Sequence, residues 1–260
     1  MMKAGVQNKL YYLLPVLSVL TLMIVWVILA AQDGSLIPTP YETLSRFLGI
    51  MANPISQATL PLHVWVSLRR VLLAFVAAIL LGVSLGVMFG WNETFNSFIY
   101  PIFELLRPIP PIAWIPLVIL WFGIGEFPKI FIVFIGSFMP IVLNTHSGIT
   151  SIDPLLIKAG QALGANRTQL LFHVALPATI PAILAGIKTA LSSGWMCVIA
   201  AEMIVAKQGV GFLIVRGQES GDTALIVTCM LVIGIVNAMI SFTLTRLEGV
   251  LCPWQFGKTK

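Results

Sequence analysis

The amino-acid sequence predicts an all-α polytopic membrane protein with six transmembrane helices. Of its 260 residues, 58% are hydrophobic and 10% are charged, and the mean hydropathy is +0.97. A soluble domain is about 45–50% apolar and about 25% charged, so this chain has too little polar surface to coat a soluble core. Its apolar segments are also long enough for a bilayer crossing, which takes about 20 residues. A soluble enzyme, a disordered chain and a secreted disulfide scaffold are therefore poor fits.

The apolar segments follow one another without an internal repeat or a soluble appendage, so residues 1–260 are expected to form a single transmembrane domain. The spans are predicted at about 10–31, 64–90, 98–122, 128–148, 178–205 and 222–245. Lys3 and Lys9 precede the first span as in a signal peptide, but its apolar run is about twice as long as a typical h-region. We interpret it as an uncleaved membrane helix.

The lysines and arginines indicate how the chain is oriented in the membrane. With the N-terminus inside, the 15 basic residues divide nine to six in favour of the inner side, a modest positive-inside bias. Both termini are then expected on the cytoplasmic side, and the chain is expected to be a multi-pass membrane protein in contact with lipid. The net charge of +5 is dispersed along the chain, so nucleic acid is not expected as a partner.

Two segments beside the second and third spans carry local structural signals. Thr39-Pro40-Tyr41-Glu42 has the pattern of a capping box, which predicts a short amphipathic helix along the outer membrane surface. Four prolines lie within the nine residues 108–116, and such a stretch cannot be a regular helix interior. Pro110 and Pro111, with Trp114 close behind, either start the third span or form a bend beside a pathway. The two interpretations are compatible.

The segment from Ile149 to Pro177 is too polar to cross a membrane and too apolar for a solvated linker. Asp153 is a predicted N-cap followed by a proline, and Gly164 lies where a helix C-cap needs positive φ. Asn166 can cap a second helix, which is expected to end near Leu176-Pro177. An amphipathic hairpin of this kind either docks on a protein or packs on lipid, and the pattern alone leaves both open.

A set of residues in this segment has a distinctive spacing, namely Lys158-Ala159-Gly160, Gly164 and Val174-Ala175-Leu176-Pro177. The set resembles the EAA loop of ABC importer permeases, with Lys158 standing where that family has Glu. Other stretches resemble the nitrate/sulfonate/taurine/bicarbonate branch of these permeases, and they are Arg107 to Leu117, Trp121 to Gly125, Ala200 to Ile204 and Gly209 to Phe212. The resemblance covers the chain from about Leu36 to Trp254.

The resemblance implies a type I ABC importer permease fold of six membrane helices with a cytoplasmic coupling helix, in a bacterial inner (cytoplasmic) membrane. Such a permease works as a dimer, here a homodimer, on two cytoplasmic ABC ATPase subunits, and a periplasmic or lipid-anchored binding protein delivers its solute. ATP and Mg belong to the partner ATPase, and this chain is expected to bind no cofactor. The implied solute is a small anion such as nitrate, a sulfonate, taurine or bicarbonate. The implied ATPase-coupling residues are Asp153, Leu155, Leu156, Lys158, Ala159, Gly160, Gly164, Arg167, Leu176 and Pro177.

Polar residues inside the predicted spans are candidates for a pathway or gate, because such residues are costly in lipid and face a partner or a water-filled cavity. Glu202 forms either a structural ion pair or a substrate contact. Lys188 either snorkels to the surface or offers positive charge to an anion. Ser192 and Ser193 either allow close helix approach or leave room for a narrow pathway. The full candidate set is Pro110, Pro111, Trp114, Lys188, Ser192, Ser193 and Glu202.

Catalytic and metal-binding motifs are missing from the sequence. It has no Walker A loop, dinucleotide fingerprint, nucleophile elbow or metalloprotease motif. Its three histidines and three cysteines lack metal-ligand spacing. We therefore expect that this chain has no enzyme activity of its own. It is expected to be the membrane subunit of an ATP-hydrolysing translocase complex. The alternative, an ion-coupled secondary transporter or channel, predicts internal repeats and ionisable residues at the membrane midplane.

Overall fold

The structure is a computed structural model that describes residues 3–32 and 34–252. In this part of the chain the regular structure is helical, apart from one isolated β-bridge between Ile55 and Ala58. The elements in chain order are α1 (Lys3–Ala30), α2 (Pro40–Ala52), α3 (Leu60–Trp91), α4 (Glu93–Leu106), a 3-10 turn (Pro111–Trp114), α5 (Ile115–Phe122), α6 (Glu126–Thr150), α7 (Pro154–Ala162), α8 (Arg167–Gln169), a π-helical turn (Leu170–Ala175), α9 (Leu176–Val205), α10 (Val210–Ser220) and α11 (Thr223–Leu251). The predicted all-α class is confirmed.

Within the described residues, four helices are long and apolar enough to cross a membrane, judged by length and composition. They are Leu60–Trp91, Glu126–Thr150, Arg167–Val205 and Thr223–Val250. A bent helix pair adds a fifth crossing if it is counted as one span. Many large apolar side chains on these helices are exposed, as expected where lipid replaces water as the solvent. The polytopic membrane class is confirmed, whereas the count of six helices is not.

The predicted third span, 98–122, differs from the structure. It is divided between α4 and the helical stretch Pro111–Phe122, which meet at an angle of 86°. Proline removes a backbone donor and clashes with the preceding turn, so α4 ends before Pro108, and Pro111 opens the 3-10 turn at its first position. The bend at the prolines is confirmed, and the crossing of the membrane by residues 98–122 stays a prediction.

Contacts along the chain divide it into two compact units. The first comprises Met1–Leu60 and Leu213–Val232, and the second comprises Pro61–Phe212 and Ile233–Lys260. The single transmembrane domain over 1–260 stays a prediction.

In the first unit, α2 is fixed at its start and along its length. Oγ1 of Thr39 accepts a hydrogen bond from the N–H of Glu42 at 3.2 Å, and the Glu42 carboxylate accepts one from the N–H of Thr39 at 2.7 Å. The predicted capping box is therefore confirmed. Nε of Arg46 pairs with the Asp222 carboxylate at 2.7 Å and ties α2 to the residue before α11. The position of α2 along the outer membrane surface stays a prediction.

In the second unit, helices α3, α6 and α9 approach one another through small residues. Three glycines of α3, spaced four residues apart, leave room for bulkier side chains of α6. Gly82, Gly86 and Gly90 face Ile141, Thr145 and Ile149 in turn. Between α6 and α9, a Cβ on Gly136 would overlap Cys197, and a Cβ on Gly194 would overlap Ser137. Small residues let helix backbones come close in lipid, where no hydrophobic force drives helices together.

Candidate functional site

Residues 149–177 form the helix–glycine–helix arrangement that the sequence predicts, and we call this segment the hairpin. The Asp153 side chain accepts a hydrogen bond from the N–H of Leu155 at 2.8 Å and so caps the start of α7. At the end of α7, Gly164 has a φ of +82°. The N–H groups of Gly164 and of the next residue donate to carbonyls of the last turn of α7. These bonds form a Schellman motif, in which glycine is the favoured residue.

The second arm of the hairpin starts at Asn166 and packs on α7. Oδ1 of Asn166 accepts from the N–H of Gln169 at 2.8 Å, and Oε1 of Gln169 accepts from the N–H of Asn166 at 2.9 Å. The arms touch at Gly160, where a Cβ would overlap the buried side chain of Leu170. The two arms therefore pack closely at Gly160, where a larger residue would displace the end of the Leu170 side chain.

The second arm does not stop where the sequence predicts. In the π turn, the N–H of Leu176 donates to the carbonyl of Leu171, five residues earlier. The helix then continues through α9, so that Arg167–Val205 is one helical run. The predicted end near Leu176-Pro177 is therefore wrong. Pro177 is the second residue of α9 and directly follows the π turn, where the hydrogen bonds already depart from the i→i−4 pattern that a proline interrupts.

The hairpin exposes a row of large apolar side chains. They are Leu155, Leu156, Leu163 and Phe172. Of the other predicted coupling residues, Asp153, Lys158, Ala159, Gly164, Arg167 and Pro177 are exposed, and Gly160 and Leu176 are half-buried. The four large apolar side chains form apolar surface that the described residues do not cover.

A polar cluster, which we call the Glu202 cluster, joins α3, α6 and α9 and consists of Ser67, Arg70, Glu126, Lys129 and Glu202. Nη1 of Arg70 donates to Oε1 of Glu202 at 2.6 Å, and its Nε and Nη2 donate to both oxygens of Glu126 at 2.8 and 2.7 Å. Nζ of Lys129 also donates to Glu126, at 2.7 Å. The side chains of Arg70 and Glu202 are 3% and 0% exposed, whereas that of Glu126 is 46% exposed. One buried guanidinium therefore bridges a buried carboxylate and a carboxylate that meets solvent.

The Glu202 cluster also caps the start of α10, whose first N–H groups have no partner within the helix. The three donor–acceptor pairs, each at 3.0 Å, are Gly209 N–H to His63 Nδ1, Val210 N–H to Ser67 Oγ and Gly211 N–H to Glu202 Oε2. Ser67 Oγ donates in turn to Glu202 Oε2 at 2.9 Å. A carboxylate at a helix N-terminus is also favoured by the helix dipole. Both oxygens of Glu202 are thus occupied by groups of the protein, as in a structural ion pair.

The other pathway candidates lie apart from this cluster. Lys188 forms an ion pair with Glu248 of α11. It is 14 positions from Glu202 on the same helix, which corresponds to about 21 Å along the axis. Ser192 is exposed and Ser193 half-buried, and α9 runs through both without interruption.

The proline-rich candidates occupy the break between α4 and α5. Pro110 precedes the 3-10 turn and Pro111 opens it. Pro111 also lies close to Gly136 of α6. The half-buried Trp114 packs against the apolar core of the second unit, and its buried Nε1 has no hydrogen-bond partner among the described residues.

Sequence reasoning missed the partners of Glu202. Arg70 was counted only among the 15 basic residues that indicate orientation. An arginine inside a span calls for a buried acidic partner, and Glu202 is the acid deepest in a predicted span, so the pair carried a readable signal. The four-residue spacing of Gly82, Gly86 and Gly90 was a second readable signal, for close helix packing.

A helical chain with several candidate membrane crossings, a capped hairpin between two of them and a buried ion pair tying three helices is a multi-pass membrane protein. Residues 78–255 match the family described as binding-protein-dependent transport system inner membrane component, and the chain belongs to this family.

Individual relatives agree with this assignment. The chain is similar to the taurine transport system permease protein TauC of Escherichia coli (strain K12), with 38% identity over 84% of this chain and 80% of that protein. It is also similar to the nitrate import permease protein NrtB of Synechocystis sp., with 30% identity over 92% of this chain and 89% of that protein. An inward-facing structure of the MetNI methionine ABC transporter matches with a TM-score of 0.62 and 21% identity, over 72% of this chain and 93% of that chain, which supports the fold.

These matches confirm the resemblance inferred from the motifs. The chain is a permease subunit of an ABC importer, it has the type I importer permease fold, and it is a multi-pass protein of the inner membrane.

Proposed function

We propose that two copies of this chain form the pathway through which an ATP-driven importer takes up a small anion. The family match carries the proposal, together with the two relatives whose printed names give taurine and nitrate as solutes. Taurine carries a sulfonate and nitrate is an oxyanion, so both present a compact group of negatively charged oxygens. Bicarbonate shares this chemistry and belongs to the same set of candidates.

In this proposal the chain transmits work that other subunits perform. Two cytoplasmic ABC ATPase subunits bind ATP and Mg, and a periplasmic or lipid-anchored binding protein supplies the solute. The permease itself has no catalytic role and binds no cofactor. Both termini and the hairpin lie on the cytoplasmic side.

The hairpin is the proposed docking element for the ATPase. Its capped ends and the glycine crossing at Gly160 support a rigid element, and its exposed leucines support an apolar contact. ATP shifts the transporter between its two conformations only because the two states bind it with different affinities. A docking element that deformed would not transmit the movement of the ATPase to the membrane helices, so the hairpin must hold its shape. Asp153 and Gly164 set that shape by capping α7, while Leu155, Leu156, Lys158 and Ala159 face the partner.

Within the membrane, the geometry favours a structural role for Glu202. Both of its oxygens already accept hydrogen bonds from the protein, and an anion pathway gains nothing from a negative wall. Lys188 is engaged by Glu248. Pro110, Pro111, Trp114, Ser192 and Ser193 stay as the proposed pathway or gate residues.

The test is uptake by the complete transporter in proteoliposomes, supplied with the binding protein and labelled taurine, nitrate or bicarbonate. Leu155 is 69% exposed, so Leu155→Asp is expected to leave folding intact while the ATPase no longer co-purifies and uptake stops. Leu36→Asp is the matched control, since Leu36 is 82% exposed and lies outside the hairpin. Gly164→Asp, which disturbs the positive-φ turn, is expected to behave like Leu155→Asp. Uptake that runs on an ion gradient without ATP would instead establish the secondary transporter.

A further inference from the structure

Arg167 reaches from the hairpin to the end of another helix. Its Nη2 donates to the carbonyl of Trp91 at 3.0 Å. Trp91 is the last residue of α3, and the last four carbonyls of a helix have no partner within it. A guanidinium at this place satisfies one of these carbonyls and interacts favourably with the negative end of the helix dipole.

The carbonyl that Arg167 binds lies at a junction between two helices. Asn92, the next residue, caps α4 by accepting a hydrogen bond from the N–H of Phe95 at 3.1 Å. Trp91 and Asn92 therefore end one helix and begin the next, and we call this pair the α3–α4 turn. A group held against this turn is held against both helices.

The direction of Arg167 depends on the π turn. Arg167 precedes the π turn in the helical run that continues into α9. A π-helical turn accommodates an extra residue compared with an α-helical turn. Without that residue, everything before the turn would rotate by about 100° around the helix axis. Arg167 would then face away from Trp91, and Leu170 would leave its place beside Gly160.

We propose that Arg167 is a positioning residue that ties the hairpin to the α3–α4 turn, and that the π turn sets the register in which it does so. The proposal rests on the proposed docking of the hairpin on the ATPase. Displacement of the hairpin is then delivered to α3 and α4 as well as to α6 and α9, which are joined to the hairpin along the chain. Arg167 acts inside the permease, while the exposed leucines of the hairpin face the ATPase.

A distance measurement in the assembled transporter tests this link directly. Thr94 and Thr168 are exposed on the two sides of the contact, and the native cysteines are buried. With spin labels at these two positions, we expect a narrow distance distribution that stays the same with and without ATP, because the two segments move together. Arg167→Ala should broaden it. A distribution that changes with ATP in the otherwise native protein, or that Arg167→Ala leaves narrow, overturns the proposal.

Coupling provides the functional test, using uptake per ATP hydrolysed in the complete transporter. Arg167→Ala is expected to retain the ATPase in the complex but to lower this ratio about fivefold, the effect of losing one solvent-exposed hydrogen bond. Arg167→Lys should restore part of it, since an ammonium can donate to the same carbonyl. Thr168→Ala, at the neighbouring exposed position, is the control. If the ATPase no longer co-purified with the Arg167→Ala variant, Arg167 would act in docking and not as a link inside the permease. That result would overturn the present proposal but not the proposed docking of the hairpin.

The register is tested by deleting one residue of the π turn. His173 is exposed, so its deletion removes little packing, and it should broaden the label distance as Arg167→Ala does. His173→Ala keeps the residue count and should leave the distance unchanged. An unchanged distance after the deletion would refute the role of the π turn. If the deletion variant does not fold, the Arg167 variants still decide the link to α3.

Discussion

Replacement of Arg70 by methionine is expected to destabilise the protein by about 3–5 kcal/mol, because it leaves a buried carboxylate without its cation. The side chains of Arg70 and Glu202 are 3% and 0% exposed and their charged atoms are 2.6 Å apart, so water cannot replace the lost partner. Methionine preserves much of the length of the arginine stem, so the loss is mainly electrostatic. The loss of Arg70 costs less at Glu126, because the Glu126 side chain is 46% exposed and keeps its ion pair with Lys129.

Thermal unfolding of the purified protein in detergent measures the effect. At roughly 2–4 °C per kcal/mol for a chain of this size class, Arg70→Met should lower Tm by roughly 6–20 °C. The double variant Arg70→Met/Glu202→Gln should recover part of the loss, because a neutral amide no longer needs a cation. Arg216→Met is the matched control, because it breaks the exposed Arg216–Glu219 pair and should cost less than about 1 kcal/mol. Equal Tm shifts for Arg70→Met and Arg216→Met, or a double variant no more stable than Arg70→Met alone, would refute the reasoning.

Three further predictions concern the packing of α3 on α6, the Lys188–Glu248 ion pair and the glycine beside Glu202. Gly86→Ala should cost about 1–3 kcal/mol because its Cβ would overlap a side chain of α6. Gly234→Ala, with nothing within 4 Å, should be neutral or stabilising by up to about 1 kcal/mol; equal Tm values for these two variants would contradict the close packing. Lys188→Met and Glu248→Gln should each destabilise the protein by about 1 kcal/mol, which lowers Tm by roughly 2–4 °C, and should leave uptake intact. Loss of uptake in the lysine variant alone would instead show contact with the anion. Gly209→Ala should cost about 3 kcal/mol or more, since φ is +128° and the Cβ would overlap the carboxylate of the Glu202 cluster. A native Tm in this variant would show that the carboxylate is not fixed there.

The hairpin could be predicted from the sequence because its signals are local. The Asp153 cap, the Gly164 turn and the Asn166 cap each act within a few residues, and the structure has all three. The continuation through Pro177 could not be predicted, because it depends on a π turn that no residue type in the segment marks. The bend of the third span could be predicted from its prolines, but its angle of 86° follows from packing.

The Glu202 cluster is the part of the candidate site that local reasoning could not assemble. Arg70 and Glu202 are 132 positions apart, and Arg70 and Glu126 are 56 apart. Which acid meets which base is decided only when α3, α6 and α9 are packed together. The need of a buried charge for a partner could be read from the sequence, but the identity of the partner required the fold.

The glycines of α3 that face α6 restrict how these two helices can move during transport. Gly82, Gly86 and Gly90 recur every four residues, or about every 6 Å along the helix axis. A slide of α3 by a fraction of this interval would bring the bulkier residues between the glycines against α6, where there is no room for them. We therefore expect α3 and α6 to move as one rigid body. Changes of shape between the states of the importer are then expected at other contacts, and a displacement applied at the end of α3 should carry α6 with it.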